Sequence, residues 1–305
     1  MTLPDEVTIV EVGPRDGLQN EPGVVATDVK VEFVDRLART GVKVVETTSF
    51  VHPKWVPQLA DGAEVYATIT PVEGVRYPVL VPNERGLNDA LQAGVRDVAV
   101  FAAASEAFSA KNLNRSIDES LEMFAPVIRR AAADGLGVRG YVSMAWGCPY
   151  QGHVPVEDVV RVSAELAELG CDEICLGDTI GVGAVGEVHR VVSRVAAEIG
   201  HDRLAVHMHD TYGQGLANTL AAFEAGVTVA DTSAGGLGGC PYAKGAKGNL
   251  ATEDLVYALD RSGVRTGIDL EAVLETTAWM AGELGRPPAS RVAEAILASR
   301  AGDGA

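Results

Sequence analysis

Cysteine is scarce in this 305-residue chain, which has four: Cys148, Cys171, Cys175 and Cys240. Four are too few for the disulfide framework of a small secreted fold. Cys171 and Cys175 are separated by three residues, and no second Cys or His pair completes a zinc site, so they read as small core residues. Basic residues are also short. Against 42 Asp and Glu stand 25 Lys and Arg, a formal net charge of −17. That balance counts against a nucleic-acid or anionic-membrane surface but leaves room for a locally basic site. No apolar run reaches the roughly 20 residues that span a bilayer. The opening Met1-Thr2-Leu3-Pro4-Asp5-Glu6 lacks the basic start and apolar run of a signal peptide. It also lacks the Arg-rich amphipathicity of a transit peptide, so a cytoplasmic protein is expected. With 47% hydrophobic and 22% charged residues, the composition is that of a globular chain able to bury a sizeable core.

What the chain has instead is a repeated phrase: a helical stretch ends at a glycine, and a run rich in β-branched residues follows. It occurs at Gly41 before residues 42–46, Gly74 before 75–81, Gly94 before 95–101 and Gly135 before 138–142. It returns at Gly170 before 173–176, Gly200 before 204–207 and Gly226 before 227–232. A glycine after the last helical turn supplies the left-handed conformation that closes it. Short Val/Ile/Leu runs suit parallel strands buried on both faces. Ser116-Ile117-Asp118-Glu119 is a capping box, after which Leu121, Phe124, Val127 and Ile128 share one helix face. Pro126 within that stretch predicts a kink or a break, and Pro155 suits the first turn of a helix running to Gly170.

With an opening strand over residues 7–12, the seven joins make eight strands alternating with helices. That predicts an α/β fold, a (β/α)8 TIM barrel, in roughly 230 residues. A doubly wound open sheet is the alternative, disfavoured because no G-x-G-x-x-G follows the first strand. Beyond about residue 250 the chain reads as additional C-terminal helices, over 252–261 and 270–284, with no Pro/Ser-rich linker before them. The expectation is one catalytic barrel domain over 1–305, with about 250–305 as its helical extension.

Functional residues of such a barrel lie at the carboxyl ends of its strands. In order, those ends read Gly13-Pro14-Arg15-Asp16-Gly17, Glu46-Thr47-Thr48-Ser49, Trp146-Gly147-Cys148-Pro149, Gly177-Asp178-Thr179, His207-Met208-His209-Asp210 and Asp231-Thr232-Ser233. Residues two apart on a strand point to one side, so His207 and His209 can face a single point. With Asp16 they form a two-His, one-carboxylate set suited to a divalent cation. An isolated H-x-H is more often a hydrogen-bonded strand end; Asp16 and the barrel position favour the metal. Asn249 reads either as a fourth ligand through its side-chain oxygen or as a turn residue after Gly248. Arg15 places a cation beside the site, and Glu46 either fixes its guanidinium or forms an ordinary salt bridge with it. Asp178 is open between a group supporting the site and a hydrogen-bonded strand end.

Residues 235–249 hold six glycines in fifteen positions. The Walker pattern is absent, so a mobile flap over the barrel mouth suits the segment better than a phosphate cradle. It carries Cys240 in a G-C-P-Y setting that Cys148 shares. Local sequence does not choose between the two; the flexible loop and the nearness of Asn249 favour Cys240 as the functional thiol and Cys148 as structure.

Several strings together resemble the hydroxymethylglutaryl-CoA lyases. They are Val12-Gly13-Pro14-Arg15-Asp16-Gly17-Leu18-Gln19-Asn20, Glu46-Thr47-Thr48-Ser49-Phe50-Val51, Gly177-Asp178-Thr179-Ile180-Gly181, His209-Asp210-Thr211-Tyr212-Gly213-Gln214 and the 235–249 loop. The resemblance runs from about residue 7 to about 295 with the motifs in the same order. The Arg-Asp pair and H-x-H belong to a wider superfamily of metal-dependent barrel lyases and Claisen-type synthases, while the Cys240 loop marks the lyase branch. Met208 stands where many lyases carry Cys or Phe and should point away from the metal.

The resemblance implies retro-Claisen cleavage of 3-hydroxy-3-methylglutaryl-CoA to acetyl-CoA and acetoacetate. It implies Mg2+ or Mn2+ held by Asp16, His207, His209 and Asn249, although a two-His-one-carboxylate set also suits Fe(II). The ion would lower the pKa of the C3 hydroxyl, and Asp16 or His207 would take its proton. Arg15 would stabilise the thioester enolate, and Cys240 would protonate its carbon. Arg15, Glu46 and Asp178 would contact the acyl-CoA. A homo-oligomer, a dimer, is expected, with neither nucleic acid nor membrane as partner. The alternatives are a lyase for a related 3-hydroxy-3-alkylglutaryl-CoA, a Claisen-type acyltransferase, and a non-catalytic barrel serving as a binding or scaffold subunit.

Overall fold

In the computed structural model, which describes residues 2–239 and 248–302, strands and helices alternate as the glycine phrase predicts. Strand β1 (Thr8–Glu11) is followed by α1 (Thr27–Ala38). The second barrel strand comes as two short segments, β2 (Val44–Val45) and β3 (Thr48–Ser49). Next are α2 (Gly62–Thr68), β4 (Val79–Leu80), α3 (Glu84–Gln92) and β5 (Asp97–Ala103), then α4 (Glu106–Leu113), α5 (Ile117–Ala133) and β6 (Gly137–Ser143). The barrel ends with α6 (Val156–Leu169), β7 (Glu173–Asp178), α7 (Val185–Ile199), β8 (Leu204–Met208), α8 (Gly215–Glu224) and β9 (Val229–Thr232). Helices α9 (Thr252–Arg261), α10 (Leu270–Leu284) and α11 (Arg291–Gly302) follow.

The strands are parallel in the order β2-β1-β9-β8-β7-β6-β5-β4-β3. The two ends of that order belong to one strand. Between β2 and β3, the Glu46 N–H donates to the Glu11 carbonyl at 2.8 Å and the Thr47 N–H to the Pro78 carbonyl at 2.9 Å. The sheet therefore closes into an eight-stranded barrel wrapped by helices.

Side-chain alternation splits the core in two. Outward-facing residues of the strands pack with the helices in one large apolar layer. The barrel interior holds a smaller set: Leu80, Ala99, Tyr141, Cys175 and Ala205, with Val10, Val12 and Val44 beside them. By the period of two, Arg139 shares this interior with Tyr141, His207 with Ala205, and Asp231 with Val229. Glu11 alternates with Val10 and Val12 and so faces outward.

All seven glycines of the repeated phrase have positive φ, from 74° at Gly135 to 118° at Gly170, but Gly74 sits in a turn six residues beyond the end of α2 rather than at a helix end. The capping box at Ser116 and Glu119 forms as expected. Pro126 differs from expectation: α5 runs through it without a break. Its ring lies on the exposed face, where solvent can satisfy the carbonyl that loses its partner. Pro155 precedes α6 as the N-cap, one position earlier than expected. Helices α9 and α10 have the predicted limits, whereas α11 was not foreseen. Helix α10 packs against α1, α9 and the short 3-10 turn Ala234–Gly236. Among the described residues no helix is long and apolar enough to cross a membrane.

Candidate active site

The site begins where β1 ends. Residues Gly13–Gly17 form a single π-helical turn, closed by hydrogen bonds from the Asp16 and Gly17 N–H groups to the Val12 carbonyl. Little else fits there. A Cβ on Gly13 would lie 2.7 Å from Glu11 Oε1, and one on Gly17 would lie 2.9 Å from Ser233 Oγ. The turn projects Arg15 and Asp16 side by side, with Arg15 Nη1 donating to Asp16 Oδ1 at 2.7 Å. Arg15 Nε and Nη2 both reach Glu46 Oε2, at 2.8 and 2.7 Å. Arg15 and Glu46 are buried, so this is a water-excluded ion pair rather than a surface one.

His207 and His209, on opposite sides of Met208 at the end of β8, bring their Nε2 atoms to 3.1 Å. Asp16 Oδ2 lies 4.0 Å from His207 Nε2. One ligand atom from each of Asp16, His207 and His209 falls within 4.8 Å of the others. Asn249 comes in from the far end of the glycine-rich segment, its backbone bridged to His209. Its Nδ2 donates to Asp16 Oδ2 at 2.9 Å and to the Leu237 carbonyl at 3.0 Å. Gly238 makes room for this amide, since a Cβ there would lie 2.7 Å from Nδ2.

Charge is arranged accordingly. Burial alone would raise the Asp16 carboxyl, but Arg15, His207 and His209 outweigh it and hold the pKa at about 2. Burial, with His207 adding to it, pushes His209 down to about 4. Burial also opposes charge on His207, yet the hydrogen bond to Asp231 and the charge of Asp16 raise it. Asp16 is thus anionic and His209 neutral near neutral pH, the states in which each can bind a cation.

The HMGL-like family matches residues 6–280. The chain is 54% identical over 294 residues to the mitochondrial hydroxymethylglutaryl-CoA lyase of Bos taurus, covering 96% of this chain and 90% of the relative. The crystal structure of hydroxymethylglutaryl-CoA lyase from Pseudomonas aeruginosa superposes with a TM-score of 0.96 at 50% identity, over 98% of this chain and 100% of that one. A lyase from Acinetobacter baumannii, solved in complex with coenzyme A and 3-methylmalate, has a TM-score of 0.92 at 36% identity, with 97% of each chain covered. The chain belongs to the HMGL-like family.

The metal dependence of the HMGL-like lyases can be tested on the donors present. Two imidazoles and a carboxylate converge, and the side-chain oxygen of Asn249 and Nδ1 of His209 are buried without a hydrogen bond of normal geometry among the described residues. Borderline nitrogen donors mixed with hard oxygen donors fit a divalent cation. Asp178, also singled out from the sequence, is fully buried at the end of β7. Its oxygens accept from the Val182 and Gly183 N–H groups at 3.0 and 2.9 Å. Burial raises its pKa to about 6 against the pull of those amides. Cys148 is buried and paired through its backbone with Gly152. Cys240 lies outside the described residues.

Arg139 and Tyr141 of this HMGL-like site were missed by sequence reasoning, and Asp231, read only as part of a polar strand end, was given no role. Asp231 reaches His207 Nδ1, and Arg139 and Tyr141 lie beneath the mouth inside the barrel. A signal was there: Arg139 interrupts an apolar strand run between Val138 and Tyr141. On the outer side, Glu11 Oε1 accepts from both Gly13 N and Ala234 N, at 2.8 and 3.0 Å. It thereby ties the Arg15–Asp16 turn to the root of the glycine-rich segment.

Proposed function

We infer that this chain is a carbon–carbon lyase that cleaves 3-hydroxy-3-methylglutaryl-CoA to acetyl-CoA and acetoacetate. The observation that carries it is the convergence of Asp16, His207 and His209 beside the buried Arg15–Glu46 pair. Relatives named for this substrate, about half identical over nearly the whole chain, support it. A relative solved with coenzyme A supports an acyl-CoA ligand.

We assign Asp16, His207, His209 and Asn249 as the ligands of a divalent cation, Mg2+ or Mn2+, which supplies Lewis acidity at the C3 hydroxyl. Of the two candidates for the hydroxyl proton, Asp16 or His207, Asp16 fits better: it has an anionic oxygen, whereas His207 has Nδ1 on Asp231 and its Nε2 lone pair assigned to the cation. Arg15 is fixed by Glu46 with its guanidinium beside Asp16, so its charge is preorganised for the thioester enolate that forms on cleavage. Cys240 delivers a proton to the enolate carbon, the role of general acid that a thiol can fill. Glu46 contributes to substrate binding through Arg15, and Asp178 through the 182–183 turn that it holds.

The C-terminal helices, docked through α10, belong in this reading to one catalytic unit over 1–305, assembled as a homodimer. Three buried free thiols, Cys148, Cys171 and Cys175, suit a reducing compartment, for which we read the cytoplasm. The test is product analysis after mixing the protein with Mg2+ or Mn2+ and a panel of 3-hydroxy-3-alkylglutaryl-CoA thioesters. Acetyl-CoA and acetoacetate from the methyl compound are expected. Condensation of acetyl-CoA with a 2-oxo acid, without cleavage of any thioester in the panel, would overturn the reading.

A further inference from the structure

A chain of buried polar contacts runs through the barrel interior beneath the mouth. Asp231 Oδ2 lies 3.1 Å from His207 Nδ1. Its other oxygen accepts from Arg139 Nη2 at 2.6 Å. Arg139 Nη1 donates to the Tyr141 hydroxyl at 3.3 Å, and that hydroxyl donates to Glu46 Oε2 at 3.2 Å. Glu46 in turn holds Arg15, and Arg15 holds Asp16. The path leaves the site through His207 and re-enters it through Arg15, with every member buried or nearly so.

Each link has a chemical consequence. A carboxylate facing Nδ1 keeps the proton of neutral His207 on that nitrogen and leaves the Nε2 lone pair facing Asp16 and His209. A carboxylate in the barrel interior would be costly alone, and Arg139 is the cation that pairs with it. Arg139 is itself positioned from β6, with Nε 2.8 Å from Glu173 Oε1. Its second arm leads away from the histidines toward Arg15, so one guanidinium steadies both halves of the site. The Tyr141 ring fills the space between, 5.0 Å from the Arg139 guanidinium and 5.6 Å from that of Arg15.

We propose that Asp231 and Arg139 are positioning residues of the reaction: Asp231 sets the tautomer and orientation of His207 for the cation, and Arg139 couples that arm, through Tyr141 and Glu46, to Arg15. The proposal rests on the assignment of His207 as a ligand. It differs from a purely structural role in what each substitution disturbs. Asp231→Asn can turn its amide toward Nδ1 and favour the Nε2–H tautomer, which has no lone pair for the cation. Tyr141→Phe removes one hydroxyl from the Arg15 arm and leaves the His207 arm intact.

The experiment uses Mn2+ as the probe, its affinity measured by calorimetry on metal-free protein. It is paired with nitrogen NMR of histidine-labelled protein, in which His207→Gln identifies the His207 signal. Asp231→Asn should weaken Mn2+ binding about 10- to 100-fold and move the His207 proton from Nδ1 to Nε2. Tyr141→Phe should keep Mn2+ affinity within about twofold while lowering kcat, and Arg139→Met should impair both. Folded Asp231→Asn with wild-type Mn2+ affinity and wild-type tautomer overturns the proposal. If that variant does not fold, the wild-type spectrum decides, since a metal-free His207 protonated on Nε2 overturns it equally. Wild-type protein that binds no Mn2+ would instead overturn the metal site itself.

Discussion

Glu11→Gln isolates the cost of a buried carboxylate that joins two parts of the active site. Glu11 is fully buried on the outer face of β1. Beyond its bonds from Gly13 and Ala234, its Oε2 accepts from Thr252 Oγ1 at 2.6 Å. Burial raises its pKa from 4.5 to about 7 against the pull of those three hydrogen bonds. A carboxyl group raised in the folded state stabilises it fully below the unfolded value and loses that contribution as pH rises through the folded value. The window is therefore pH 4.5 to about 7. At about 1.4 kcal/mol per pKa unit, the loss across it is about 3 kcal/mol. Glutamine keeps the oxygen facing Gly13 and Ala234 and can donate to Thr252 Oγ1, but it does not ionise. Urea unfolding from pH 5 to 8.5, with metal chelated, should show the variant gaining about 3 kcal/mol on wild type across the series. Groups that do not interact with Glu11 cancel in that difference, whereas Glu253, whose charge helps raise Glu11, adds a smaller coupled contribution. A difference constant within about 0.5 kcal/mol would refute the reasoning.

The remaining predictions concern turnover. Asp16→Asn should lower it by about 10³-fold, several kcal/mol of barrier; full activity after exhaustive chelation, or in His207→Ala/His209→Ala, would sink the metal assignment. Arg15→Met should lower kcat by about 10² to 10³ with a modest change in ground-state acyl-CoA affinity, because enolate charge exists mainly in the transition state. Glu46→Gln should give a smaller defect of the same kind, and an effect confined to KM would reassign Arg15 to anchoring. Cys240→Ser should slow turnover by about 10² or more while metal binding survives, with Cys148→Ser nearly normal. The opposite ranking exchanges the roles of the two cysteines, and indifference to both removes the thiol acid.

The barrel was legible because its signals are local. At each of the seven joins the glycine has a positive φ, although Gly74 stands in a turn beyond α2 rather than at its end. The histidine pair was legible through strand alternation, and Asp16 through the motif around it. Less was visible where structure depends on partners distant in sequence. The need for glycine at Gly17 in the π-helical turn comes from Ser233 and Leu237, which lie more than two hundred residues away. Asp231 was seen as a polar strand end, but its contact with His207 depends on the β8–β9 register, which sets the two residues side by side. The survival of α5 across Pro126 was decided by which face the proline occupies.

Among the described residues, the two flanks of the glycine-rich segment are tied to each other and to the barrel by backbone hydrogen bonds. Ser233 N bonds the Leu250 carbonyl and Thr252 N the Ser233 carbonyl, at 3.0 and 3.1 Å. Asp210 N bonds the Gly248 carbonyl at 3.1 Å, and Leu250 N the Met208 carbonyl at 3.0 Å. Backbone contacts of this kind ask nothing of the side chains between Gly239 and Gly248. Substitutions accumulating in those intervening positions therefore leave Asn249 in register with His209 and the barrel able to fold. In evolutionary terms the stretch is a cassette, which a lineage could vary while inheriting the cluster of Asp16, His207, His209 and Asn249 beside it.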